Sequence, residues 1–260
     1  MAESRDRTSG SDMNPVMLIT GASRGIGAAT ARLAGKNGYA VCVNYKSSRE
    51  AAERIVKDIE ESGGKALAVQ ADVADANDIE RLFHICDLEL GTLSSLINNA
   101  GILETQMRVE DIDAARIDRV FGVNVRGSFL CAREAVKRMS TKHGGKGGSI
   151  VNISSIAAKI GGPNEYVDYA ASKGAIDSMT IGLAKEVASE GIRVNAVRPG
   201  VISTDIHASG GEPGRVDRIG PTSPMGRGGT PEEVAEAILW LASDKASYST
   251  GAFIDVSGGR

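Results

Sequence analysis

The sequence predicts an α/β fold, a single doubly wound parallel sheet with helices on both faces. Three observations carry that reading. Short apolar runs of strand length alternate with longer helical stretches along the chain. The first run opens directly into a glycine turn and a helix. Aromatic residues make up only 4 % of the 260 residues, so the core is built from Ala, Val, Ile and Leu, as in parallel strands buried on both faces.

Taken in order, Val16, Met17, Leu18 and Ile19 form the first strand, and Thr20-Gly21-Ala22-Ser23-Arg24-Gly25-Ile26-Gly27 is the turn into a helix that stops at Gly38. Residues 40–43 make a second buried strand. Ser47 or Ser48 caps the next helix, with Glu50 in its first turn, and Gly63-Gly64 ends it. A third strand, 66–69, runs into Asp72-Val73. Asp75 or Asn77 starts a helix that Gly91 stops, and Leu96-Ile97 opens a fourth strand into Asn98-Asn99-Ala100-Gly101. A long helical region is expected over 112–139, with Gly122 and Gly127 inside it. Residues 149–153 form a fifth strand, and the helix carrying Tyr169 follows to about Glu190. Residues 193–197 form a sixth strand. The Gly- and Pro-rich segment 203–229 has no clear period. Pro231, suited to a first helical turn, begins the last helix, and 252–256 is the last strand.

With 30 basic and 33 acidic residues the net charge is −3, which argues against a nucleic-acid or anionic-membrane partner. Cys42, Cys86 and Cys131 are an odd number in apolar surroundings, and read as small core residues of a reducing compartment. His84, His143 and His207 make no metal-ligand spacing with them, so no metal is expected. Residues 1–14 are polar without an apolar signal core. They are expected to be a disordered tail, with 15–260 as one domain and the cytoplasm as its address.

Gly21, Gly25 and Gly27 allow the backbone to approach a pyrophosphate, whose charge suits the amides and dipole of a helix start. The end of the second strand, Asn44-Tyr45-Lys46-Ser47-Ser48, offers no acid for a free ribose 2′-hydroxyl. Arg24 and Lys46 are cations that can face a 2′-phosphate, which points to NADP(H), with NAD(H) as the other possibility; solvated surface charge is the alternative reading of both. Tyr169 and Lys173 lie one helical turn apart on one face. An ammonium near a phenol favours the phenolate, so the pair makes a proton donor tuned below the ordinary value of about 10.

Thr20-Gly21-x-x-x-Gly25-x-Gly27, Asp72-Val73, Asn98-Asn99-Ala100-Gly101, Asn124, Ser154-Ser155, Tyr169-x-x-x-Lys173 and Arg198-Pro199-Gly200 occur in this order. Together they resemble the short-chain dehydrogenase/reductase family in its single-domain, Rossmann-like form, from about residue 14 to the C-terminus. The resemblance implies that Tyr169 is the general acid/base, and that Lys173 lowers its pKa and holds the nicotinamide ribose. It implies that a serine holds the substrate oxygen and that Asn124 supports a water linking the lysine to solvent. Alignment on the strand favours Ser155 over Ser154, since the loop before Tyr169 is one residue longer than the family's common spacing. Tyr166 has no lysine partner and lines the substrate mouth or packs under the loop.

The resemblance further assigns Ser23 and Ile26 to the phosphate turn, Asp72 and Val73 to the adenine, and Asn99, Ala100 and Gly101 to the adenosine half. Pro199, Gly200, Ile202 and Thr204 fall to the carboxamide end. Segment 207–229 occupies the lid position. Its Glu212, Arg215, Asp217 and Arg218 read as a solvated face, or as a hint of a polar substrate. A homotetramer or homodimer is implied, built on the helix ending near Met139, the Tyr169 helix and the last helix and strand. The expected reaction interconverts a small-molecule carbonyl and a secondary alcohol. The rivals are a 3-oxoacyl carrier-protein reductase, a sugar or polyol dehydrogenase, and a silent dinucleotide sensor.

Overall fold

The computed structural model describes residues 14–260; the expected tail lies outside them except for Asn14. Seven strands, β1 (Val16–Ile19), β2 (Ala40–Tyr45), β3 (Lys65–Gln70), β4 (Leu93–Asn98), β5 (Gly148–Ile153), β6 (Ile192–Pro199) and β7 (Phe253–Val256), form one sheet. Its order is β3-β2-β1-β4-β5-β6-β7, with every neighbouring pair parallel. The winding reverses between β1 and β4, and the strand ends open a crevice there.

Strand β1 shows why the apolar runs are continuous. Val16 and Leu18 join a core with α3 (Ala76–Leu90), α5 (Ser128–Met139) and α7 (Val167–Val187). Met17 and Ile19 point the other way, into a core with α1 (Gly25–Lys36), α2 (Arg49–Glu61) and α10 (Pro231–Ala242). Each face of the sheet is covered, so alternation has no polar side to show. All three cysteines are buried and free. The adjoining Cys86 thiol and burial push the Cys42 thiol well up, and burial pushes Cys131 to about 12, so both behave as small apolar residues.

Several elements depart from expectation for local reasons. Strand β4 begins at Leu93, ahead of the apolar pair, because its serines are satisfied inside the sheet. Ser94 Oγ donates to the Val16 carbonyl (2.8 Å), and Ser95 Oγ shares a hydrogen bond with Ser149 Oγ (2.9 Å). Asp75 caps α3 through the Asn77 and Asp78 amides, whereas Ser48 stands at the N-cap of α2 without a side-chain bond. Thr230 and Glu233 close a capping box on α10.

The region expected as one long helix is broken. Helix α4 (Ala114–Phe121) passes through a π turn, Gly122–Gly127, before α5 resumes. A side chain at Gly127 would come within 2.7 Å of the Val73 carbonyl. Three short stretches supply α6 (Ala157–Ile160) after β5, and α8 (Ile206–Ser209) and α9 (Arg215–Ile219) within the aperiodic segment. At four or five residues each, they are too short for a 3.6-residue period to register.

Candidate active site

The glycine turn is fastened by short polar side chains from three strands. Gly21 has φ +61°, a left-handed conformation that glycine reaches without Cβ strain. Its N–H donates to Asn44 Oδ1 (3.1 Å), while Asn44 Nδ2 donates to the Ala71 carbonyl (3.1 Å) and the Val69 carbonyl (3.3 Å). The Asn44 amide, expected to meet a cofactor, is therefore turned into the backbone, where it levels the ends of β1, β2 and β3. Thr20 Oγ1 accepts from the Asn99 and Ala100 amides (both 3.0 Å), and Asn99 Nδ2 donates to the Thr20 and Gly21 carbonyls (2.8 and 3.0 Å). Helix α1 packs so closely on this lacing that a Cβ at Gly27 would lie 2.5 Å from Asn99 Nδ2 and 2.8 Å from the Gly21 oxygen. One at Gly25 would meet Thr204 Cγ2 at 3.3 Å.

This turn forms one end of a cavity of about 960 Å³. Ser23, Arg24 and Ile26 line it, as do Asp72, Val73, Ala100 and Gly101 further along. Arg24 is exposed and has no hydrogen-bonded or ion-paired side-chain partner among the described residues. Lys46 differs, since its Nζ pairs with Asp72 Oδ2 at 2.7 Å. Against the upward pull of burial, Lys46 and the Ala74 amide hold the Asp72 carboxyl below its ordinary value. Two residues expected to touch different parts of a cofactor thus touch each other.

The other end is built on α7 and the end of β5. Lys173 Nζ donates to the Ile153 carbonyl (2.7 Å) and lies 5.6 Å from the centre of the Tyr169 ring. Ser154 Oγ donates to Asp177 Oδ1 (2.7 Å) and to the Lys173 carbonyl (3.2 Å). Asp177 in turn accepts from Arg198 (2.8 Å), so the first serine belongs to a buried strand-to-helix fastening. Ser155 stands beside the Tyr169 phenol, its Oγ accepting the Ala157 amide at 3.1 Å. Within the π turn, Asn124 Oδ1 accepts the Ile102 amide (2.8 Å), and its Nδ2 donates to the Ile102 carbonyl and Ser172 Oγ (both 3.1 Å). That amide is fully engaged and clamps segment 101–103 to α7. Pro199, Gly200, Ile202 and Thr204 follow β6 along the same wall.

Electrostatically the pair departs from expectation. Burial pushes the Tyr169 phenol up to about 12, with Ser155 working the other way, and burial draws Lys173 down to about 8. The lysine was expected to lower the phenol. In the protein alone desolvation dominates both groups and favours their neutral forms. Tyr169 is accordingly a proton donor across the neutral range.

Segment 206–219 closes over this end. Tyr166 donates to the Gly210 carbonyl (3.2 Å) and lies under the Arg215 guanidinium, 5.0 Å from its ring centre. Arg215 pairs with Glu165 at 2.5 Å and Glu212 at 2.8 Å, and Arg218 bonds the same two carboxylates. Burial lowers His207, whose Nε2 bonds the Ile202 carbonyl at 2.8 Å. Sequence reasoning did not name the Arg116–Asp168 pair, 2.7 Å and almost fully buried, immediately before Tyr169. Its partners are 52 positions apart, and nothing local marks them. Thr20 and Ser172 were within quoted motifs, but their side-chain roles appear only in three dimensions. Among the described residues no group of three His, Cys, Asp or Glu is placed to hold a metal, and no helix is long and apolar enough to cross a membrane.

A parallel sheet with a glycine turn at its switch point and a Ser-Tyr-Lys cluster at the far end of one cavity defines a dinucleotide-binding oxidoreductase architecture. Comparison with known proteins agrees. The chain matches the enoyl-(acyl carrier protein) reductase family over residues 21–260. It is 58 % identical over 245 residues to the uncharacterized oxidoreductase YgfF of Escherichia coli, covering 94 % of this chain and 99 % of that one. It is 42 % identical over 249 residues to a 3-oxoacyl-(acyl-carrier-protein) reductase of Synechocystis sp., covering 94 % and 96 %. The crystal structure of 3-ketoacyl-(acyl-carrier-protein) reductase from Brucella melitensis complexed with NADH superposes with a TM-score of 0.87 at 34 % identity, covering 95 % and 98 %. The chain belongs to the short-chain dehydrogenase/reductase family of oxidoreductases, which binds nicotinamide dinucleotides.

Proposed function

We propose that the protein is an NADP(H)-preferring reductase converting a small-molecule ketone to a secondary alcohol. The observation that carries this reading is the position of Tyr169, protonated at neutral pH, beside Ser155 and Lys173 at one end of a cavity whose other end is the glycine turn. The turn fits a pyrophosphate because its backbone lies bare where any side chain would collide, as at Gly21, whose Cβ would lie 3.0 Å from Ala100 Cα. The dinucleotide supplies the hydride.

The protein's part is proton transfer and orientation. Tyr169 gives its phenolic proton to the carbonyl oxygen as negative charge develops there. Ser155 donates a second hydrogen bond to the same oxygen. Lys173, anchored on the Ile153 carbonyl, is placed to hold the nicotinamide ribose and to restore the proton. Asn124 keeps segment 101–103 and α7 at fixed separation. Arg24, exposed and without a side-chain partner among the described residues, supports preference for a 2′-phosphate; Lys46 reaches one only by exchanging Asp72 for it. Exposed Phe129 on α5 and Ile181 on α7 support self-association into a dimer or tetramer through these helices, which light scattering of the purified protein tests.

The test of function is NADPH consumption with a panel of ketones, aldoses and 3-oxoacyl thioesters, alongside Tyr169→Phe. Turnover is expected to fall roughly a hundred- to ten-thousandfold in the variant, with NADPH binding retained. Equal turnover in the variant would overturn the role of Tyr169, and tight binding without turnover of any compound would favour a binding protein. A 3-oxoacyl carrier-protein reductase is the second reading, favoured by the names of two relatives; it predicts that the thioesters lead the panel.

A further inference from the structure

Resting on the reductase reading, the substrate half of the cavity also limits what the substrate is. Leu103, Ile156, Ile160, Pro163, Ile206 and Ile219 line it. Most of its polar side chains, apart from Tyr169 and Ser155, are already bonded within the protein. Glu165 and Arg215 hold each other at 2.5 Å, with Arg215 also on Glu212. The Tyr166 hydroxyl is bonded to the Gly210 carbonyl and His207 Nε2 to the Ile202 carbonyl, while His207 Nδ1 has no partner among the described residues and is buried out of contact with solvent. Asp205 and Arg260 remain, both exposed to solvent at the rim. Of the lid charges that hint in sequence at a polar substrate, Glu212, Arg215 and Arg218 are consumed by this ion-pair cluster, and Asp217 is exposed to solvent outside it. A substrate hydroxyl or carboxylate entering here would lose water and gain no partner unless it broke one of these pairs.

Ile160 points to what does fit. It is a large apolar residue 50 % exposed on the wall of the cavity, at the end of α6 and one residue before Gly161 with φ +78°. Covering that side chain with apolar substrate removes both surfaces from water, and covering it with a polyol does not. We infer that the substrate is a ketone carried on an uncharged, apolar body, an alkyl or alicyclic group, and that polyhydroxylated and anionic carbonyl compounds are selected against.

The test uses the full-length protein, NADPH and three six-membered ring ketones of one scaffold: 4-tert-butylcyclohexanone, 4-oxocyclohexanecarboxylate and a pentahydroxycyclohexanone. Differences of one or two groups in an apolar pocket change kcat/KM by about 10- to 200-fold. The alkyl ketone is expected to lead each of the others by at least about tenfold. Ile160→Asp is expected to reduce kcat/KM for the alkyl ketone by about tenfold and to narrow its lead, while Ile160→Leu, which keeps an apolar surface there, preserves the ranking. A carboxylate or polyol that equals or exceeds the alkyl ketone overturns the inference and leaves the reductase reading standing. An unchanged ranking in Ile160→Asp overturns the part assigned to Ile160. No turnover of any of the three, with NADPH bound, overturns the ketone-reductase reading and this inference with it.

Discussion

The Arg116–Asp168 pair fixes α4 against the start of α7, one residue from Tyr169, and its removal can be worked out in advance. Arg116 Nε and Nη2 reach the two carboxylate oxygens at 2.7 and 3.2 Å, and Nη1 donates to the Thr105 carbonyl at 2.6 Å. Both side chains are 4 % exposed. Asp168→Ala strands the guanidinium in the protein with only the Thr105 carbonyl and the weakly accepting Met107 Sδ as partners among the described residues, which costs about 3–5 kcal/mol. For a chain of this size that lowers Tm by roughly 6–20 °C. Replacing both partners by apolar residues of similar bulk, Arg116→Met with Asp168→Leu, removes the stranded charge, so the double variant is expected within about 1–2 kcal/mol of the parent.

Urea unfolding at fixed protein concentration measures both variants. The pH dependence adds a second check. Against burial, which raises it, Arg116 and the Tyr169 amide hold the Asp168 carboxyl below its ordinary value. A depressed folded value contributes stability that is complete above the unfolded value of about 3.9 and is lost as pH falls through the folded one. The gap between parent and Asp168→Ala should therefore be full at pH 7 and shrink below about pH 4. A single variant costing under about 1 kcal/mol, or a double variant no better than the single, would refute the reasoning.

Other substitutions test the two ends of the cavity. Gly27→Ala forces a methyl to within 2.5 Å of Asn99 Nδ2; a loss of about 1–3 kcal/mol in unfolding free energy, with weaker dinucleotide binding by fluorescence titration, is expected. Arg24→Ala is expected to weaken NADPH about 10- to 100-fold, the worth of one charge-assisted contact, and to leave NADH unchanged; equal losses for both would remove Arg24 from the 2′-phosphate. With Tyr169 held near 12 and Lys173 near 8, kcat/KM for reduction should stay level up to about pH 8 and decline above it as the lysine loses its proton. Lys173 also carries a stability signature. Its depressed value means the unfolded chain binds more protons between about 8 and 10.5, so stability relative to Lys173→Met should rise with pH across that window, as urea midpoints would report.

The sheet was legible because its strands are buried on both faces and read as apolar runs; β1 is apolar throughout, and β2 from Ala40 to Val43. Strand β4 was half hidden, since Ser94 and Ser95 look like loop residues until their cross-strand hydrogen bonds are seen. The π turn was illegible because periodicity averages over several turns and one extra residue does not shift it enough to notice. Among site residues, Tyr169, Lys173 and the glycines announce themselves by spacing. The distinct surroundings of Ser154 and Ser155 do not, as they depend on Asp177, 23 positions from Ser154. The tuning of Tyr169 was misjudged for a related reason. Spacing reveals which charge is near, and burial, the larger cause here, is a property of the assembled fold.

The π turn between α4 and α5 makes the site sensitive to chain length. It holds one residue more than regular α geometry would allow over the same stretch. Deleting a single residue from 122–127 would let α4 and α5 merge into one continuous rod with better internal hydrogen bonding. The flanking helices would keep their faces, because the bulge absorbs its extra residue over the same stretch, and Arg116 would still meet Asp168. The loss would be local: Asn124 sits inside the bulge, and straightening it would take its amide away from Ile102 and Ser172. A shortened protein of this kind would show more regular helix and a loosened segment 101–103. The irregularity thus aims one side chain into the site without turning the helices on either side of it.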